Sequence, residues 1–344
     1  MKVCPSCFAD KELKAFISSS SQKGDCDVCH TKEAPLLDLN ELLDFFQELT
    51  ENFQVVEEGE EFKLKIQSNW SFFSSLVIGE KVLNYVLPKL KTSALNASTK
   101  VDFNQDILEN YQYWEELKYE LKWSRRFLSN IDHITNELGW DGFFNSQFEL
   151  AKEDTYYRAR VHHERGMSAY ALDKMGCPPP KKISGGRANP MGIPYLYLSD
   201  NEETVLYEIR ASYLDEVSVG SFQIDSNEKP LNIVDFTEET ALYQPNSVNE
   251  IVKAHLLKKH ISKDLSKPMR RYDSEIEYIP TQFICEFIRV ITGASGILFA
   301  SSVHPSGKNL VLFDQSLMKC VDVKLRRIDS LQIEAIDITH TKVT

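Results

Sequence analysis

The apolar residues of this chain change their spacing near residue 155, and that change dictates what each half can fold into. Upstream, Leu39, Leu42, Leu43, Phe46 and Leu49 recur at intervals of three and four, which lines them along one helix face. Asp38 or Asn40 stands where an N-cap belongs. Val82, Leu83, Val86 and Leu87 repeat the pattern as far as Pro88, which has no N–H to carry a helix onward. Ile107, Tyr111, Trp114, Leu117 and Leu121 mark a longer third helix, and aromatics at that spacing read as core packing. Phe62 to Ile66 alternates and is expected as a short strand, and the polar stretch 91–105 as a loop. Downstream the stripes give way to short runs of strand character. They are Tyr156 to Val161, Tyr195 to Leu198, a run from Val217 to Ile224 with a shift of phase, Leu231 to Val234, Gly296 to Ala300, Leu310 to Phe313 and Val321 to Leu325. Helices interrupt them. One is expected from Ser199, with Glu202 at capping-box spacing, and one from Thr281 to a stop at Gly293. The result is an α+β domain behind a mainly helical one.

The first 34 residues follow neither pattern. Cys4-Pro-Ser-Cys7 and Cys26-Asp-Val-Cys29 are two Cys-x-x-Cys turns. Each turn can bring two thiolates to one ion, and two turns supply the tetrahedral sulfur shell that zinc prefers. A structural zinc held by Cys4, Cys7, Cys26 and Cys29 is therefore expected. So small a segment buries little surface, so the metal would supply much of its stability. An odd total of seven cysteines, four of them bunched, argues against a disulfide framework. With one aromatic beside the pairs, Phe8, and few basic residues, the module reads as a protein contact or a structural cap.

Charge sets further bounds. The formal net charge is −12, so broad attraction to nucleic acid or to an anionic membrane is not expected. No apolar run approaches the roughly 20 residues of a membrane span, and the N-terminus lacks the pattern of a signal peptide, so a cytoplasmic location is expected. An anionic substrate would have to be held by a few placed arginines. Arg270 and Arg271 form a local basic pair that reads as solvated surface.

Four short motifs carry the chemistry. They are Tyr156-Tyr-Arg-Ala-Arg160, then Gly186-Arg-Ala-Asn-Pro-Met-Gly-Ile-Pro-Tyr-Leu-Tyr197, then Glu203-Thr-Val-Leu-Tyr-Glu208, and Gly296-Ile-Leu-Phe-Ala-Ser-Ser302. In this order they resemble the RES domain family, over roughly residues 125–344. The helical stretch before them resembles the helical region that precedes the domain in some larger members. The division implied is a metal module over 1–34, a helical domain over 35–124 and a RES domain over 125–344. The resemblance implies a fold like that of ADP-ribosyltransferases and an activity that cleaves NAD at its nicotinamide–ribose bond, as a toxin or an antiphage effector.

That reaction develops positive charge on the ribose, and nicotinamide departs without needing a strong general acid, so electrostatic stabilisation should dominate. The resemblance assigns roles accordingly. Arg158 is the family's arginine, and its guanidinium would fork onto phosphate oxygens. Arg160, two residues on, would share its face if the segment is a strand. Tyr197 would stack on nicotinamide or ribose, and Glu208 would stabilise the cation. Ser301 is the family's serine and would position ribose or phosphate. The proline that usually precedes it is replaced here by Ala300, which leaves Ser302 as a neighbouring alternative. Arg187 and Asn189 sit in the Gly-Arg-x-Asn-Pro loop, and Gln282 lies in a stretch expected to wall the pocket; all three are candidate NAD contacts. NAD is thus the substrate, phosphate or water the acceptor, and an antitoxin or activating protein an implied partner; a homo-oligomer is compatible. Two rival readings remain: an ADP-ribosyltransferase acting on a protein or nucleic acid, and a non-catalytic zinc-ribbon adaptor.

Overall fold

The computed structural model describes residues 1–91, 95–144, 148–225, 229–268 and 275–332, so Arg270 and Arg271 lie outside the described residues. In chain order the first elements are β1 (Lys2–Val3), α1 (Lys11–Ser18), β2 (Lys23–Gly24), β3 (Ala34–Pro35), β4 (Leu37–Asp38), α2 (Leu43–Glu51), β5 (Phe53–Glu61), α3 (Phe62–Trp70), α4 (Leu76–Val86), β6 (Lys100–Phe103), α5 (Gln105–Trp123) and α6 (Trp140–Phe143). They are followed by β7 (Phe148–Leu150), β8 (Tyr156–Val161), β9 (Leu196–Ser199), α7 (Glu202–Glu208), β10 (Glu216–Ile224), β11 (Leu231–Asp235), α8 (Val248–Leu265), α9 (Ile279–Phe287), β12 (Gly296–Ala300), β13 (Lys308–Leu312) and β14 (Met318–Arg327). Among the described residues no helix is long and apolar enough to cross a membrane.

The chain forms two compact units, residues 1–145 with 237–263, and residues 146–236 with 264–344. The first unit contains both the cysteine pairs and the helical stripes, joined by an excursion from the C-terminal half. One apolar core runs through it: Cys4, Cys7 and Phe8 share it with Leu42, Phe46 and Leu83, and with Leu242, Val248, Val252 and Leu256 of the excursion. Phe8 packs edge-on against Phe72, with ring centroids 5.6 Å apart. The expected helical stripes form α2, α4 and α5. Asp38 provides a capping box for the short 3₁₀ turn Leu39–Leu42 that leads into α2, accepting from Asn40 N at 2.8 Å while Glu41 accepts from Asp38 N at 3.3 Å. Asp10 caps α1 by accepting from Leu13 N at 2.9 Å, and its second oxygen accepts from Leu242 N at 2.7 Å and Tyr243 N at 3.2 Å.

Two local expectations are corrected. Phe62 to Ile66 is the first half of helix α3, because Phe62, Ile66 and Trp70 recur every four residues and bury together. The alternation that suggested a strand is shared by any apolar pair four apart. Within the polar stretch expected as a loop, Lys100–Phe103 is strand β6, with Val101 and Phe103 buried and paired antiparallel with β5.

The second unit is built on an eight-stranded sheet in the order β14-β10-β8-β9-β13-β12-β11-β7. Its neighbours pair antiparallel except β11 and β12, which run parallel. This is the mixed α+β architecture expected. One face carries Tyr156, Leu196, Leu198, Leu310 and Leu312 into an apolar core. The other presents Ala159, Val217 and Val219 to Val205 of α7. The phase shift read in the sequence is real: β10 buries Val217 and Val219 on one side, then Phe222 and Ile224 on the other.

The Asp10 carboxylate ties two distant parts of the first unit, so Asp10→Ala should leave buried N–H groups without acceptors. The cost expected is about 3 kcal/mol, read as a lowered urea midpoint of the full chain.

Candidate active site

Alternation along the strands decides which side chains meet. Leu196 and Leu198 of β9 enter the apolar core, so Tyr197 and Ser199 face the other way. Leu310 and Leu312 of β13 do the same, which turns Asn309 to that second face. The register sets Asn309 opposite Ser199 on one side and Phe299 on the other. Above this face lies α7. Its N-cap is Asn201, which accepts from Thr204 N at 2.8 Å, and not the expected Ser199, which is the last residue of β9. The last residue of α7 is Glu208. A cavity of about 250 Å³ opens between them, and Arg158, Arg187, Tyr197, Glu208, Ser302 and Asn309 line it.

Glu208 is held from strand β13 and from the turn that follows β12. Its Oε1 accepts from Ser301 Oγ at 2.7 Å and from Asn309 Nδ2 at 2.6 Å. Ser301 Oγ in turn accepts from Val303 N at 3.2 Å and His304 N at 3.1 Å. One hydroxyl proton and two lone pairs are thereby all engaged, so Ser301 acts behind the carboxylate in this state. Ser302, the alternative noted in the sequence, is the serine that borders the cavity. Asn309 Oδ1 accepts from Ser199 Oγ at 2.8 Å. The turn carrying Ser301 is fixed to α7 by His304, whose Nδ1 lies 2.8 Å from Thr204 Oγ1 and whose ring stacks on Tyr207 with centroids 5.0 Å apart.

The arginines differ from one another. Arg158 and Arg160 leave β8 on the same face, as alternation requires. Arg158 borders the cavity, and its Nη1 is buried with no hydrogen-bond partner among the described residues. Burial pushes its guanidinium below the usual range, with Cys177 beside it, though a guanidinium stays charged. Arg160 turns away to donate through Nη2 to the carbonyl of Gly176. Arg187 donates through Nη1 to the carbonyls of Leu265 at 2.7 Å and Lys267 at 2.6 Å, and its guanidinium lies 5.8 Å from the Tyr278 ring centre. Burial lowers its affinity for the proton, opposed by the charge of Glu208 and by two tyrosines.

The loop between β8 and β9 is locked by side chains expected to meet substrate. Asn189 is buried and donates to the carbonyls of Ser184, Pro190 and Ile193 at 3.0–3.2 Å. Its Oδ1 accepts from the Tyr197 hydroxyl at 2.8 Å, and that hydroxyl accepts from Ala188 N at 2.9 Å. Burial pushes the Tyr197 phenol well above its usual range, so it stays a neutral donor. Gln282 donates to Gly186 O at 2.8 Å, and Thr281 donates to Arg187 O at 2.6 Å. The structure therefore gathers Arg158, Arg187, Tyr197 and Glu208 at one cavity and places Ser301, Asn189 and Gln282 behind it. Asn309 is not named from the sequence, where Ser199 reads as a helix cap and not as a site residue. Asn309 is one ordinary polar residue at the edge of the apolar run Leu310–Phe313, and its pairing with Ser199 spans 110 positions.

The four N-terminal cysteines also converge. Their sulfurs lie within 4.8 Å of one another, with Cys4 to Cys29 at 3.3 Å and Cys7 to Cys26 at 3.5 Å. Burial pushes the Cys4 and Cys7 thiols up, while at Cys29 burial is outweighed by hydrogen bonds from Thr31, which bring it down to about 6. A divalent ion would hold all four as thiolates. Four sulfurs on two tight turns suit a closed tetrahedral site.

A mixed sheet bearing a cavity lined by a carboxylate and two arginines is a candidate active site on an α+β fold. The RES domain model matches residues 155–334, just over half of the chain, and the chain belongs to that family. A chain in the crystal structure of the M. tuberculosis MbcT–MbcA toxin–antitoxin complex is similar at 12% identity and a TM-score of 0.30, over 55% of this chain and 92% of that one. No curated protein matches the chain.

Two outcomes follow. A Cβ on Gly186 would stand 2.6 Å from Asn189 Oδ1 and 2.8 Å from the Tyr197 hydroxyl. Gly186→Ala should therefore disorder the loop and raise KM for the substrate about tenfold or more, measured by steady-state kinetics. Elemental analysis of the purified chain should find one divalent ion per molecule, and Cys26→Ser should lose it.

Proposed function

We propose that the chain cleaves the nicotinamide–ribose bond of NAD and passes the ADP-ribosyl group to phosphate or water. The observation that carries this reading is the Glu208 carboxylate in the cavity, with one oxygen fixed by Ser301 and Asn309 and two arginines, Arg158 and Arg187, lining the same cavity. Family membership and the order of the four motifs support it. The cavity is at the small end for ligand sites and suits the nicotinamide–ribose end of the dinucleotide.

In this mechanism nicotinamide leaves with the electron pair of its bond to the ribose, and cationic charge develops at that carbon. Glu208 stabilises the charge electrostatically, and a carboxylate fixed in advance acts more strongly than one free in solution. The unpaired Nη1 of Arg158 offers a donor to the phosphate groups. Arg187, anchored by backbone carbonyls, adds positive potential from the neighbouring wall. Tyr197 presents its ring to the ligand while its hydroxyl holds the loop. An oxygen of phosphate or water then bonds to the ribose carbon. Water must give up a proton as its oxygen bonds, whereas phosphate attacks through an oxygen that is already anionic and so needs less assistance.

Zinc is the ion proposed for the four-cysteine cluster, in a structural role, because four thiolates satisfy its coordination and leave no open position for chemistry. An antitoxin or activating protein is the proposed regulator of such an activity.

The test is incubation of the purified full chain with NAD, with and without phosphate, and mass spectrometry of the products. Free nicotinamide is expected, with ADP-ribose phosphate or ADP-ribose as the second product. Glu208→Gln, which keeps the shape and removes the charge, should cut turnover at least about 100-fold. Label incorporated into protein or nucleic acid would instead identify a transferase, and equal turnover by Glu208→Gln would overturn the reading.

A further inference from the structure

The carboxylate at the heart of the site is not positioned by its own helix. Glu208 ends the short helix α7, where the backbone hands over to a turn. What aims it is a chain of side chains from the sheet: Ser199 Oγ donates to Asn309 Oδ1 at 2.8 Å, and Asn309 Nδ2 donates to Glu208 Oε1 at 2.6 Å. Ser199 and Asn309 are both buried, and they face each other across β9 and β13.

The polarity of this chain has one solution. A carboxylate oxygen only accepts, so the Asn309 amide must present its NH₂ to Glu208. That turns the amide oxygen to Ser199, whose hydroxyl must donate. Ser301 completes the arrangement by donating to the same Oε1. Both bonds fall on one oxygen, and no hydrogen bond from a described residue reaches Oε2. The charged groups that line the cavity with Glu208 are Arg158 from β8 and Arg187 from the loop, and the charge of Arg187 acts on Glu208.

We propose that Asn309, oriented by Ser199, is a positioning residue that fixes Glu208 so that its free oxygen faces the reacting ribose. This rests on the reading of Glu208 given above. Asn309 acts through Glu208, so its loss should act on the chemical step and leave substrate capture by the arginines in place. Asn309→Asp has a distinct signature. It sets a second carboxylate against the first at hydrogen-bond distance, and two such groups share a proton up to higher pH than either alone.

The experiment measures nicotinamide release from NAD by the full chain and by Asn309→Leu, Asn309→Asp, Ser199→Ala and Glu208→Gln, each checked by its thermal melt. Asn309→Leu should lower kcat about 100-fold while KM changes less than about threefold. Ser199→Ala should lower kcat in the same direction by a smaller factor, and it carries the test if Asn309→Leu does not fold. Asn309→Asp should move the acid limb of the pH–rate profile upward by about one unit or more. Loss of turnover in Glu208→Gln, with native kcat and an unmoved acid limb in the folded Asn309 and Ser199 variants, would overturn this inference alone. Native turnover in Glu208→Gln would overturn it together with the reading it rests on.

Discussion

The three-strand register β9-β13-β12 is the constraint on which the site depends. It sets Ser199, Asn309 and Phe299 side by side on one face of the sheet, while Leu198, Leu310 and Leu298 go to the other. A slip of one residue would send Asn309 into the apolar core and leave Glu208 without its donor. The apolar side therefore enforces the polar one: Leu196, Leu198, Leu310 and Leu312 must be buried, and the register that buries them delivers Asn309 and Tyr197 to the cavity.

The same economy of charged groups recurs in both units. Asp10 caps a helix with one oxygen and holds the backbone of residues 242 and 243 with the other. Glu208 gives one oxygen to Ser301 and Asn309 and keeps the other open. The contrast is physical. A carboxylate with both oxygens engaged by N–H groups is a structural tie. One with a single oxygen engaged is anchored but keeps a free acceptor, which a stabiliser of positive charge requires. Arg158 shows the complementary state, with its buried Nη1 lacking an acceptor among the described residues.

Much of the fold was legible in the chain. The stripes of α2, α4 and α5, the strands β8 to β14 and the cysteine pairs all follow from local periodicity or spacing. The errors share a cause. Phe62 to Ile66 satisfies both an alternating and a four-residue pattern, and only Trp70, packed with it, decides for a helix. Ser199 has the spacing of a cap, but the strand β9 claims it and Asn201 takes the role. Residues 237–263 give no local sign that their apolar side chains complete the core of the first unit.

The sequence by itself determined the element types, the four-cysteine cluster and the residues that mark the family, because each depends on neighbours within a few positions. Arg158, Tyr197 and Glu208 could be named for that reason. Only the tertiary structure decided where each side chain goes and what it touches. It turned Arg160 to a carbonyl, put Asn189 and Gln282 to work on the loop, placed Ser301 behind Glu208, and paired Ser199 with Asn309. These assignments depend on which strands lie side by side, and strand order arises from long-range burial and hydrogen bonding, which no local pattern encodes.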